Sequence, residues 1–340
     1  MIREAIIALV DEGRELTEAE AAAVMHEIMR GEATPAQFGA FVTALRLRGE
    51  TAPVVIGMAK AMREHALRVE VKVRPLLDTC GTGGTGVNTF NVSTAAAFVA
   101  AAAGAHVAKH GNRAMTSTSG SADLLEALGA EIMLTPQQVA ACIERTGVGF
   151  MFAQAFHPAM KFAGPLRREI GVRTVFNILG PLTNPASANC HVLGAPDEAR
   201  AELLAQTLTG LDMRHALVVT GEGGIDELSV SGPTTVFEVK GQQATKRTVT
   251  PGELGVAIHP LSALTGGTPQ QNAETLRLVF AGEGPPAIRD FIAVNAGAGI
   301  YVAGLAATLR DGTRLAQAAI DSGDAAARVA AFVEATRRAG

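Results

Sequence analysis

Two polar, glycine-rich loops between Leu76 and Gly129 set the strongest limit on how this chain can fold. The first reads GTGGTG (Gly81 to Gly86) and runs on to NVST (Asn91 to Thr94). The second reads KHGNRAMTSTSGS, from Lys109 to Ser121. Each follows a short apolar segment and hands over to a helical run. That arrangement turns backbone N–H groups into an anion nest at a helix start. Two such units in succession point to an α/β layer and to a ligand that carries phosphate.

The flanking sequence supports that layer. Candidate strands are Leu76–Thr79, His106–Lys109, Glu131–Leu134 and Val148–Phe152, with helices expected at Thr94–Ala103, Ala122–Leu128 and Pro136–Thr146. Thr135, Pro136 and Gln138 give the last helix an N-cap, a proline at its first position and a capping box. Alternation resumes after residue 186 with a strand at His191–Gly194, a helix around 197–211 and a strand at Ala216–Thr220. Strands alternating with helices imply a largely parallel sheet. From Thr268 onward the pattern is mostly helical.

Residues 1–70 read as four short helices. Thr17 with Glu20 and Thr34-Pro35 with Gln37 form capping boxes, and Phe38, Phe41, Val42 and Leu45 keep the helical period. Thr51 with Pro53 opens the fourth. The expected fold class is therefore α/β, with a small N-terminal helical domain and a larger α/β domain around a central, largely parallel sheet flanked by helices. The helical domain spans 1–72. Residues 157–185, rich in prolines and basic side chains, break the α/β rhythm, and a segment near 166–186 is expected to return to the helical domain. Residues 73–165 and 187–340 then form the α/β domain.

Composition excludes several classes. Formal net charge is −4 and the pI about 6.1, where a nucleic-acid binder carries a basic face. Three distant cysteines, Cys80, Cys142 and Cys190, offer neither metal spacing nor a disulfide framework, which suits a reducing compartment. The first helix carries Glu4 and does not read as a signal peptide. No uncharged apolar run reaches the ~20 residues that span a bilayer. A cytoplasmic protein without a membrane partner is expected.

GTGGTG formally contains the dinucleotide fingerprint, but the acidic residue expected about 20 positions on is missing, with no Asp or Glu before Asp123. A phosphate nest is the better account, with Thr82, Thr85 and Thr89 adding hydroxyls. KHGNR alone would commonly be a solvated charged turn; the hydroxyl-rich TSTSGS beside it favours a second anion site. Ser119 and Ser121 can also cap the following helix. Asp226 and Glu227, adjacent in GEGGIDELSVSG, are hard oxygen ligands that suit Mg²⁺ beside a phosphorylated substrate. One of Arg167, Arg168 and Arg173 could fork onto a carboxylate, and periodicity does not say which. Cys80 reads as a packing residue, since no base is evident beside it.

Taken together, GTGGTG…NTFNVST, KHGNR…TSGSADLLEALG, HPAMK…PLRREIGVRTVFNILGPLTNP and IDELS resemble the anthranilate phosphoribosyltransferases of tryptophan biosynthesis, in register over nearly the whole chain. The resemblance implies transfer of the phosphoribosyl group of 5-phosphoribosyl 1-pyrophosphate (PRPP) to the amine of anthranilate. It implies that Gly81, Gly84, Thr85, Thr89, Asn91, Val92, Ser93, Thr94, Lys109, His110, Gly111, Asn112, Arg113, Ala114, Met115, Thr116, Ser117 and Ser121 hold the donor. Ser93, Asp226 and Glu227 would bind Mg²⁺, and Gly81, Asn112 and Arg167 would contact anthranilate. A homodimer through the helical domain is implied as well.

No residue is assigned as a covalent or acid–base catalyst; Lys109 and Mg²⁺ would stabilise the transition state, and His110 and His157 would only position substrate. Thr85 stands where the family loop usually has Asp, and activity is expected to persist because the nest is made of backbone. Among rivals, a pyrimidine nucleoside phosphorylase shares a KHG-type loop, but Asn112 and the Arg167 segment fit anthranilate better. A nucleic-acid-binding paralogue is opposed by the acidic pI and by Asp226-Glu227, and an oxidoreductase by the missing acidic partner.

Overall fold

The computed structural model describes residues 1–83, 86–114 and 118–339. Four helices open the chain: α1 (Ile2–Val10), α2 (Glu18–Met29), α3 (Pro35–Arg48) and α4 (Ala52–Glu64). Both expected capping boxes form, Thr17 with Glu20 and Thr34 with Gln37, whereas Thr51 precedes α4 without a side-chain cap. The buried stripes of these helices share a core with Val175, Phe176, Ile178, Leu179 and Leu182, so the proline-rich segment packs on them. Arg63 of α4 fastens the contact by donating from Nε to the Leu182 carbonyl at 2.7 Å.

The described residues form a seven-stranded sheet: β1 (Leu76–Gly81), β2 (His106–Gly111), β3 (Val148–Phe152), β4 (Cys190–Gly194), β5 (His215–Gly221), β6 (Thr234–Lys240) and β7 (Gln243–Val249). Their order is β3-β2-β1-β4-β5-β6-β7. The five from β3 to β5 run parallel, and β6 and β7 complete the sheet antiparallel. Helix α5 (Val92–Ala102) links β1 to β2. Its run from Ala95 to Ala101 is wholly buried, with Phe98 edge-on to Phe332 of the C-terminal helix at 5.5 Å. Small alanines let helices approach closely, which is how a chain with 4% aromatics fills its core.

One expected strand is absent. Glu131–Leu134 alternates in burial, with Ile132 and Leu134 in and Glu131 and Met133 out, but it forms no strand. It links α6 (Ser121–Leu128) to α7 (Pro136–Thr146) within a single crossover from β2 to β3, and the Glu131 N–H donates to Thr336 Oγ1 instead of to a strand. No helix among the described residues is long and apolar enough to cross a membrane.

Strand order reverses between β1 and β4. In an open α/β sheet the crevice beyond the carboxyl ends of such a pair is where ligands bind. Those ends here are Gly81 and Gly194, registered partners in the sheet.

Candidate active site

The turn that follows β5 is wedged into this crevice. A Cβ on Gly194 would lie 2.5 Å from the Asp226 carbonyl carbon, and one on Gly81 would lie 2.8 Å from the Asp226 Cγ. Only glycine at the two strand ends lets the turn approach so closely. Asp226 Oδ2 then accepts from the Gly83 N–H at 2.8 Å, and Glu227 Oε1 from Thr89 Oγ1 at 3.1 Å. Two adjacent carboxylates therefore hold the first loop from beneath.

Their environment is costly for charge. Burial pushes the Asp226 carboxyl above the usual range. It pushes Glu227 well above, and the neighbouring Asp226 charge adds to that. Glu227 Oε2 is buried with no protein partner. A desolvated oxygen pair with one unsatisfied atom fits a hard divalent cation, which would supply the missing charge and coordination. The cradle fits Mg²⁺.

The two loops are joined to one another. Thr118 Oγ1 donates to Asn88 Oδ1 at 3.1 Å, and Asn91 Nδ2 to the Ser119 carbonyl at 2.8 Å. Asn91 occupies the N-cap of α5 but makes no capping bond; its carboxamide is spent on Ser119 and on Asn272 Nδ2 at 2.7 Å. Neither Ser119 nor Ser121 stands at the N-cap of α6. That place is Gly120, and Asp123 Oδ2 accepts from both the Gly120 and Ala114 N–H groups at 2.9 Å, closing the second loop.

Cations of the second loop point in different directions. Lys109 is 2% exposed, and its Nζ donates to the Thr79 carbonyl and to Ser93 Oγ at 3.3 Å. Burial lowers its pKa, against the pull of Asp78. Arg113 is half exposed and turns to α6, pairing with Glu126 at 2.8 Å and Asp123 at 3.1 Å. Val92 is buried in α5, Thr94 is buried beside it, and Gly111 is pressed between Phe150 and Ser121. Gly84, Thr85, Met115, Thr116 and Ser117 lie outside the described residues.

A second group of side chains lies around the proline-rich segment. Of its three arginines, Arg168 and Arg173 are exposed and only Arg167 is half buried. The Arg167 guanidinium stacks over the Phe176 ring at 5.4 Å, and desolvation lowers its pKa. No carboxylate partner is found for it among the described residues. His110 and His157 pack ring to ring, with centroids 5.0 Å apart. The His110 ring bonds the Gly180 carbonyl and the His157 ring that of Thr183, and both Nε2 atoms are buried without partners. Burial drives His110 well below its ordinary range and His157 to about 4, so both imidazoles are neutral. Asn112 Oδ1 receives Gln154 Nε2 at 3.3 Å.

One expectation needs correction. A histidine does stand beside Cys80: His191 Nε2 is 3.3 Å from its Sγ. The two are 111 positions apart, and only the β1–β4 pairing brings them together. The thiol is still no nucleophile, because burial and then Asp78 raise its pKa well above the ordinary value.

A loop-and-carboxylate cradle stands at the switch point, and the chain is a glycosyltransferase. Two family models agree, the glycosyl transferase family helical bundle domain over residues 3–66 and its a/b domain over 73–326. A curated relative named anthranilate phosphoribosyltransferase, from Chloroflexus aggregans, is 53% identical and covers 99% of this chain and 98% of the relative. The crystal structure of anthranilate phosphoribosyltransferase from Thermus thermophilus superposes with a TM-score of 0.93 at 45% identity, covering 99% of both chains. The Saccharomyces cerevisiae enzyme in complex with PRPP and Mg superposes at 0.91 with 28% identity, covering 99% of this chain and 98% of that one. Its complex with 4-fluoroanthranilate gives 0.89 at 26%, with the same coverage. The chain belongs to the anthranilate phosphoribosyltransferase family.

Proposed function

We propose that this chain joins the phosphoribosyl group of PRPP to the amine of anthranilate, releasing pyrophosphate, with the donor on the two loops and the acceptor beside Arg167. The observation that carries the reading is Glu227 Oε2, a buried oxygen without a partner directly under the donor loop.

In this reading Asp226, Glu227 and Ser93 would hold Mg²⁺, which would supply positive charge for the departing pyrophosphate. Asp226 also fixes the Gly83 N–H, and Glu227 fixes the Thr89 hydroxyl. Lys109 aligns Ser93 and adds its own buried charge. Cleavage at the ribose carbon passes through an oxocarbenium-like state, so preorganised donors around the leaving group do most of the catalysis. Arg113, through its pairs with α6, keeps the second loop in shape.

The acceptor is held through its carboxylate by the Arg167 fork, with Asn112 and Gly81 closing its surroundings. A desolvated guanidinium lacking a carboxylate gains most from an anionic ligand. The neutral His110 and His157 rings would help position the acceptor. An arylammonium gives up its proton readily, so no dedicated base is required. Approach of the helical unit (1–72 with a segment near 166–186) to the α/β unit (73–165 and 187–340) would exclude water from the donor. Exposed Ile7, Val10 and Leu47 on the helical unit suit a homodimer there, and three free cysteines suit the cytoplasm.

Anthranilate fluorescence tests the reading. It should fall only when protein, PRPP and Mg²⁺ are all present, and it should stop falling on chelation. An unchanged signal with all three present would overturn it.

A further inference from the structure

One cluster of ligating side chains is assigned to neither donor, acceptor nor Mg²⁺. Asp78 and Cys80 stand two residues apart on β1 and so share a face of the sheet, and His191 is the registered partner of Asp78 on β4. Neighbouring strands about 4.8 Å apart bring all three to one place. Their ligand atoms lie within 4.8 Å of one another, with Cys80 Sγ 3.3 Å from His191 Nε2 and 3.9 Å from Asp78 Oδ2. Bonds of about 2.0–2.3 Å to a tetrahedral Zn²⁺ place adjacent ligand atoms about 3.5 Å apart, close to what is seen here.

The surroundings hold these groups as ligands are held. Asn184 Nδ2 donates to Asp78 Oδ2 at 2.7 Å, and the His110 N–H donates to Oδ1 at 3.2 Å. Such outer bonds orient a ligating carboxylate. His191 is 4% exposed, and burial keeps its imidazole neutral, the form that ligates. Cys80 is the least buried of the three.

We propose that Asp78, Cys80 and His191 bind a borderline-soft divalent transition metal ion of the Zn²⁺ class, at a site separate from Asp226 and Glu227. One sulfur, one nitrogen and one oxygen suit Zn²⁺ or Co²⁺ with water in the fourth position, and do not suit Mg²⁺, which takes oxygen. On binding, the Cys80 S–H bond breaks, its proton leaves to solvent, and the thiolate forms the metal–sulfur bond; nothing is oxidised or reduced. The buried Lys109 charge nearby opposes a second cation, so only an ion with a strong thiolate bond is retained.

The test is a Co²⁺ titration of the metal-free protein in a hundredfold excess of Mg²⁺, which occupies the carboxylate pair. The site predicts a thiolate-to-cobalt charge-transfer band in the near ultraviolet that saturates at one equivalent and is bleached by Zn²⁺. Cys80→Ala should abolish the band, and His191→Gln should weaken Co²⁺ binding at least tenfold, both variants melting close to wild type. If Cys80→Ala does not fold, His191→Gln carries the same decision. No thiolate band in the wild type, or an undiminished band in either variant, overturns the site.

Discussion

Replacing Gly81 by alanine isolates the contact between the strand end and the acidic turn. The added Cβ would sit 2.8 Å from the Asp226 Cγ and closer still to its Oδ2, where carbon atoms ordinarily rest about 3.5–4.0 Å apart. The carboxylate must therefore retreat by about 1 Å. That movement breaks the 2.8 Å bond to the Gly83 N–H and shifts the metal cradle. A displacement of that size near reacting groups costs about 10²-fold, equal to about 2.7 kcal/mol of transition-state stabilisation. Because the obstructing atoms end a side chain that can rotate, the fold should survive with a Tm near wild type. Gly194→Ala is the counterpart. Its Cβ meets the Asp226 backbone, with the carbonyl carbon at 2.5 Å, so the turn cannot yield and overpacking should cost about 1–3 kcal/mol of stability. The assay is kcat/KM for anthranilate at several Mg²⁺ concentrations, with a melting curve for each variant. Gly81→Ala should lose about 10²-fold and need more Mg²⁺, while Gly194→Ala should melt lower. Wild-type kcat/KM and Mg²⁺ dependence in Gly81→Ala would refute the reasoning.

Other substitutions address the acceptor side and the electrostatics. Arg167→Ala should raise the anthranilate KM at least tenfold with a small effect on that of PRPP, because a charge-assisted carboxylate bond worth about 1.5–3 kcal/mol is lost; steady-state kinetics in both substrates decides it. Glu227→Gln should raise the Tm of the metal-free protein at neutral pH and erase stabilisation by Mg²⁺. The sign follows from its raised pKa: stability present below the unfolded value of about 4.5 is lost as pH rises through the folded value, so Glu227 burdens the metal-free fold at neutral pH. The same shift makes Mg²⁺ affinity fall on acidification earlier than an ordinary carboxylate would, which titration calorimetry across pH measures.

Local chemistry made much of the fold readable. The α7 ends fall where Thr135-Pro136 and the residue before Gly147 place them, because a capping box and a C-terminal glycine act within a few residues. Glu131–Leu134 misled because alternating burial is necessary for a strand but says nothing of a pairing partner. The β6–β7 hairpin is hard to read although it turns at Gly241-Gln242, since nearly all of β7 faces solvent and lacks an apolar stripe. In the site, loop glycines and adjacent carboxylates announce themselves by composition. The choice of Arg167 over Arg168 and Arg173, the Asp226 hold on Gly83 and the Cys80–His191 contact do not. Each joins residues far apart in the chain, and only sheet order and packing decide them.

The central claim is that the buried carboxylate pair beneath the first loop is the metal site of the donor. Crystals grown with PRPP and Mn²⁺ in place of Mg²⁺ test it through the anomalous signal of the ion. A peak with Glu227 among its ligands and Asp226 adjoining is the predicted result. A peak away from both carboxylates, or donor bound on the two loops without one, would contradict it.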